Sequence, residues 1–320
     1  MKGYVVRGGI PVFTTIEEPR LFPNTVIIKN IALGLNKLDH ASLSNPDFET
    51  KYGIGFEGVG IVEVVDESCQ KKFTVGQRVC YATAHGVGAF AEKIAIHEDL
   101  LIPIPGDIST EAAATLFKGL AAHMLLFRTY NLKSSNVIGV TSASGGVASY
   151  LTQWAASEGV AVIGMVANAS HRQIATENGC TAVFSPKEAN AYIKEAQNLS
   201  LSKLGLNVFY DSLGAKVFPL GLKALAPFGI YINYGNITGE ITQISAQHFQ
   251  KKALFFTTPS VFYSKAYPVE LSLTAEMFFD KIRNRSLRPN ITKYKFASLP
   301  EALEEIGNGV IPGQKVVMLD

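Results

Sequence analysis

The sequence predicts an α/β protein: a doubly wound parallel sheet in the middle of the chain, preceded by an antiparallel, barrel-like β domain. Three observations predict it. Between Asn136 and Ala161 a β-branched run passes through a glycine-rich turn into residues that recur at helical spacing. Beyond that stretch apolar strands and helices alternate; before it, short strands rich in Val, Ile and aromatics are separated by Gly, Pro, Asp and Asn.

In chain order, Tyr4–Val6, Val26–Ala32, Gly58–Val65, Gln77–Tyr81 and Phe90–Ile96 read as strands of the first domain. Ser109–Tyr130 reads as one helix bridging to the second, with Ala112, Ala113, Leu116, Leu120, His123, Met124 and Phe127 at helical spacing. Val137, Ile138 and Val140 form the next strand, and Val147, Leu151, Trp154 and Ala155 mark the helix after it. Ser144, Gly145, Gly146 and Val147 lie in the turn between them. Without β-carbons, Gly145 and Gly146 let the backbone bend tightly and let a phosphate approach the N–H groups at the positive end of the helix. Ala148 replaces a third glycine, which close packing of helix on strand tolerates.

The alternation continues with strands at Val160–Val166, Ala182–Phe184, Leu206–Asp211 and Ile230–Tyr234 and helices at Ser170–Asn178, Lys187–Ala196 and Val217–Leu225. This means a parallel sheet whose ligand crevice lies at the carboxyl ends of the strands. A sixth strand at Ala253–Thr257 and a helix at Pro268–Arg285 follow. Ile291–Phe296, Leu299–Gly307 and Lys315–Leu319 then read strand, helix, strand, too little chain for a third domain. The expected boundaries are 1–116 for the barrel-like domain, 117–256 for the nucleotide-binding domain, and 257–320 for a return to the first.

Composition narrows the function. With 320 residues, 18% charged, and a formal net charge of +2, the chain has no nucleic-acid footprint. No apolar run approaches a membrane span, and the start lacks a signal-peptide core, so a cytoplasmic protein is expected. Cys69, Cys80 and Cys180 are far apart and read as reduced thiols rather than a disulfide or a metal site. The end of the second parallel strand, Met165–Arg172, has no carboxylate to hold ribose hydroxyls. Asn168, Ser170 and Arg172 suit a 2′-phosphate, which favours NADPH over NADH.

In order along the chain come Ala32–Asp39, Gly55–Val62, Val75–Tyr81, Gly88–Glu92, Glu111–Ala114, Lys118–Leu120, Ala143–Val147, Tyr210–Gly214, Tyr234–Asn236 and Thr258–Ser260. With these motifs the chain resembles the medium-chain dehydrogenase/reductase superfamily, and within it the zinc-independent quinone oxidoreductases of the zeta-crystallin type. The resemblance implies a GroES-like domain, an inserted Rossmann domain, and an active site in the cleft between them. It implies a homodimer through the Rossmann edge strand near 253–261. By resemblance Asn36, Tyr81 and Phe56 line a substrate pocket for a quinone or enone. Lys118, Ser212, Gly235, Asn236, Thr257, Thr258 and Lys315 join the glycine turn in holding the cofactor.

Zinc relatives supply Cys and His ligands where this chain has Asn36 and Phe56, and their four-cysteine lobe is missing, so no metal is expected. Two departures from the quinone oxidoreductase pattern are Ala41, where many relatives carry tyrosine, and Ala121, where they carry threonine. Tyr52 is then the nearest phenol, on which an alternative as an enoyl-thioester reductase depends. A non-catalytic NADPH-binding module is the remaining alternative.

Overall fold

Gly8 and Gly9, at φ of 54° and 77°, take a turn closed to most side chains. That turn pairs β1 (Lys2–Arg7) with β2 (Ile10–Thr15), a hairpin that the alternation of residues alone did not give. The structure is a computed structural model, described here for residues 1–43, 54–82, 88–260, 268–309 and 311–319. Its contacts divide into two units: Met1–Leu120 with Phe262–Arg285 and Pro289–Asp320, and Ala121–Val261 with Ser286–Arg288.

The first unit continues with β3 (Thr25–Leu35), β4 (Glu57–Val65), β5 (Arg78–Ala82), β6 (Lys93–His97) and β7 (Leu101–Pro103). In β3 Val26, Ile28 and Leu33 are fully buried, while the second unit's first strand, β8 (Val137–Thr141), is buried throughout. That difference separates a sheet with one solvated face from one covered on both. The strands after β8 are β9 (Ala161–Met165), β10 (Ala182–Phe184), β11 (Leu206–Asp211), β12 (Leu225–Asn233) and β13 (Phe255–Thr257). Finally β14 (Ile291–Lys295) and β15 (Gln314–Met318) return to the first unit, and β15 pairs antiparallel with β3.

The parallel sheet has the order β10-β9-β8-β11-β12-β13. Successive strands step outward from β8 to one edge, and β11 then starts again on the other side. The switch point of a doubly wound sheet therefore lies between Thr141, at the end of β8, and Asp211, at the end of β11.

The expected single helix over 109–130 is instead three pieces. Ser109 caps Thr110–Ala113 by accepting from the Ala112 N–H at 3.2 Å; the chain resumes as a helix over Leu116–His123 and ends in a π-helical turn over Met124–Thr129. The periodicity is continuous, so nothing in it marked the break. The helices after β9 and β10 are likewise preceded by short 3-10 turns at Ala169–His171 and Pro186–Glu188. No helix among the described residues is long and apolar enough to cross a membrane.

Candidate active site

The mouth of the parallel sheet is built around one buried carboxylate. Asp211 accepts hydrogen bonds from the backbone N–H groups of Leu213 and Gly214 at 2.8 and 2.9 Å. It accepts further bonds from the Tyr231 hydroxyl at 2.7 Å, the Asn233 amide at 3.1 Å and the Thr141 hydroxyl at 3.2 Å. Burial pushes its pKa up, against these five donors. Tyr231 is aimed by aromatic packing, with the Phe209 and Phe218 rings 5.2 and 5.1 Å away. Asp211 thus ties together the ends of β8, β11 and β12. In the sequence its only signal is a carboxylate at the end of the apolar run Leu206–Asp211 with a glycine three residues on; the structure gives that Gly214 a φ of 89°.

Beside Asp211 lies the glycine-rich turn after β8. Ser142 has φ 54°, a left-handed backbone that costs a non-glycine residue about 1–2 kcal/mol. Its carbonyl accepts from the Gly145 N–H at 2.7 Å and its hydroxyl from the Ser212 hydroxyl at 3.1 Å. A β-carbon on Gly145 would sit 3.1 Å from that carbonyl, and one on Gly235 2.8 Å from the carbonyl of Ser212. Here the glycines are needed for backbone approach. Ser142, Ser144–Val147, Ser212 and Gly235 are thereby assembled around the switch point; Asn236 and Thr258 are exposed and Thr257 is half-buried at the end of β13.

At the end of β9, Asn168 accepts from the Ser170 N–H at 3.0 Å, capping the turn. His171 shares a 3.2 Å hydrogen bond with the Ser144 hydroxyl of the glycine turn. Arg172 is engaged: its guanidinium donates to the Val183 carbonyl at 2.8 Å and pairs with Glu188.

Lys118 and Lys315 belong to a second, charged cluster, within the first unit. Glu57 is 1% exposed and receives Lys118 Nζ at 2.9 Å, the Asn36 amide at 3.1 Å and the Phe117 N–H at 2.8 Å. A β-carbon on Gly34 would come within 2.2 Å of Glu57 Oε1, so only glycine lets β3 pass this carboxylate. Asp39 accepts from the Asn36 N–H at 2.6 Å through Oδ2, while Oδ1 is buried without a hydrogen-bond partner. Burial, with Glu57 adding, pushes the Asp39 carboxyl up to about 8. Burial, with the Lys118 charge adding, brings the Lys315 ammonium down to about 8; it donates to the Ile311 carbonyl at 2.5 Å.

Phe56 is buried in the same unit. Tyr81, expected to line a substrate pocket, is 0% exposed within the first unit, and its hydroxyl donates to Asn30 Oδ1 at 2.9 Å. Tyr52 lies outside the described residues. Metal ligation fits this cluster poorly, because Asn36, Glu57 and Lys118 bring an amide, a carboxylate and a cation rather than thiolates and imidazoles. Among the described residues no group of three His, Cys, Asp or Glu is placed to hold a metal ion.

A family model described as an alcohol dehydrogenase GroES-like domain matches residues 22–106, and one described as a zinc-binding dehydrogenase matches 146–275. A quinone oxidoreductase of Pseudomonas aeruginosa is 31% identical over 92% of this chain and 91% of its own. The chain belongs to the quinone oxidoreductase family. It is an oxidoreductase with a GroES-like domain and a Rossmann-like domain. An Escherichia coli quinone oxidoreductase solved in complex with NADPH has a TM-score of 0.89 at 26% identity, covering 99% of this chain and 100% of that one. A mycobacterial protein, also complexed with NADPH, has a TM-score of 0.91 at 28% identity, covering 99% of both chains.

Proposed function

We propose that the protein catalyses NADPH-dependent reduction of quinones or related conjugated carbonyls, by direct hydride transfer and without a metal. The observation that carries this reading is the likeness, along 99% of the chain, to an Escherichia coli quinone oxidoreductase and a mycobacterial protein, both solved with NADPH. The chemistry of the two clusters supports it. The turn at Ser142–Val147 offers backbone N–H groups to a pyrophosphate, with Ser212 after β11, Gly235 and Asn236 after β12, and Thr257 and Thr258 at and just beyond the end of β13. NADPH supplies the hydride, and the residues bind and orient it.

A quinone spreads the added charge over a conjugated system, so its reduction needs no Lewis acid to hold an alkoxide. In keeping with that, Glu57 finds its counter-charge in Lys118, and Asn36 is held by its amide for orienting a substrate oxygen. Three buried free cysteines suit a reducing, cytoplasmic setting. A homodimer through β13, the terminal strand of the parallel sheet, would cover Phe255, which is 58% exposed. Sedimentation giving only a 34.6 kDa species at micromolar concentration would reject the dimer.

The enzymatic reading is tested by following the nicotinamide absorbance with 1,4-benzoquinone, 9,10-phenanthrenequinone and crotonyl-CoA as separate acceptors. Turnover of NADPH with a quinone is expected. Turnover with crotonyl-CoA alone would move the assignment to enoyl-thioester reduction, and silence with all three despite NADPH binding would indicate a non-catalytic module.

A further inference from the structure

The guanidinium that a 2′-phosphate would use is already taken, and its partner is held in place. Ser185 donates to Glu188 Oε2 from its backbone N–H at 2.7 Å and from its hydroxyl at 2.8 Å, closing the capping box of the turn at Pro186–Glu188. Arg172 joins the same oxygen, while its Nη1 stays on the Val183 carbonyl. Those Ser185 bonds, with Arg172, keep the Glu188 carboxyl below the usual carboxylate range, so it is ionised at neutral pH.

We propose that Glu188 sets the cofactor specificity of this enzyme: by occupying Arg172, it makes the preference for NADPH over NADH shallow. The inference rests on the NADPH reading above and on the placement of Arg172 just beyond the end of β9. In sheets of this kind the residues there read the adenosine ribose, an acid favouring the 2′-hydroxyl and an arginine the 2′-phosphate. This chain has no acid at the end of β9, but the turn after β10 delivers one to the same guanidinium. A 2′-phosphate reaching Arg172 must displace or share it with a fixed negative charge. A 2′-hydroxyl meets no such repulsion and can donate to the carboxylate.

The test is the affinity of the full chain for NADPH and for NADH, measured by titration calorimetry in wild type, Glu188→Gln, Arg172→Ala and the double variant. Glu188→Gln keeps an oxygen to accept from the Ser185 N–H, and Glu188→Ala serves as a second variant; the melting temperature of each checks the fold. The expected result is that Glu188→Gln binds NADPH about tenfold more tightly, the size of one charge-assisted hydrogen bond, with no gain for NADH. In the Arg172→Ala background the same change gives no gain, because the two side chains act as a pair. An unchanged NADPH-to-NADH ratio in folded Glu188 variants overturns the proposal, as does a gain that persists without Arg172. Failure of the cofactor reading looks different: wild type then binds neither nucleotide.

Discussion

Among the described residues, two buried carboxylate centres are built in opposite ways. Asp211, at the mouth of the parallel sheet, is surrounded by neutral donors from β8, from β12 and from the turn after β11. Glu57 and Asp39, in the first unit, share their surroundings with two lysines, and Asp39 keeps one oxygen unpartnered. The first arrangement stiffens a backbone that must present N–H groups at fixed places. The second stores charge that changes with pH. Neutral dipoles hold a single buried charge without a counter-ion, whereas an internal ion pair compensates its own charge.

The sharpest way to break this contrast is to remove one partner from each centre. Glu57→Ala leaves the Lys118 ammonium buried without its counter-ion and is expected to cost about 3–5 kcal/mol. Asp211→Asn keeps the shape but puts an NH2 donor against either the Leu213 N–H or the Gly214 N–H, whichever oxygen it replaces. A loss of about 2 kcal/mol is expected. Denaturant unfolding of both variants checks the order, and a larger loss at Asp211 would reverse the assignment of charged and scaffold centres.

The pH dependence sharpens it further. The Asp39 carboxyl is raised from 3.8 to about 8 in the folded chain, so between these values the folded state binds more protons than the unfolded. The stability it contributes is full below pH 4 and is lost as pH rises through about 8. Lys315 is lowered from 10.5 to about 8, so its contribution is full above 10.5 and is lost as pH falls through about 8. Thermal melts should therefore show Asp39→Asn gaining on wild type as pH rises from 5 to 8, and Lys315→Met gaining as pH falls from 10 to 8. Parallel profiles for wild type and variants would contradict the charged-store account. The smallest effect is at the glycine turn. Ser142→Gly relieves the left-handed backbone but loses the bond from Ser212, so a net stability change within about 1 kcal/mol is expected, read by the same melts.

Local patterns made the second unit legible. β10 and β11 are confined to the residues that the apolar runs mark, and the strand, turn and helix around Gly145 follow from β-branched and glycine positions. Tyr4–Val6 marked β1, but β2 and the hairpin were not legible, since two glycines are the only signal of the turn between them. In the sites, contacts between residues far apart in sequence decided what could not be read. Lys118 and Glu57 are 61 positions apart and Arg172 and Glu188 are 16, so each was legible as a residue type and not as half of a pair. Tyr81 lay correctly on a strand, but which face of β5 looks inward depends on pairing with β4, and that pairing buries the phenol against Asn30.

What most needs testing is the proposed NADPH-dependent reduction of a quinone without a metal. The most direct test is NADPH–quinone turnover by the purified enzyme before and after dialysis against a zinc chelator, with bound metal measured by mass spectrometry. The account predicts no stoichiometric zinc and an unchanged rate. Turnover that is lost to the chelator and restored by added zinc would contradict it.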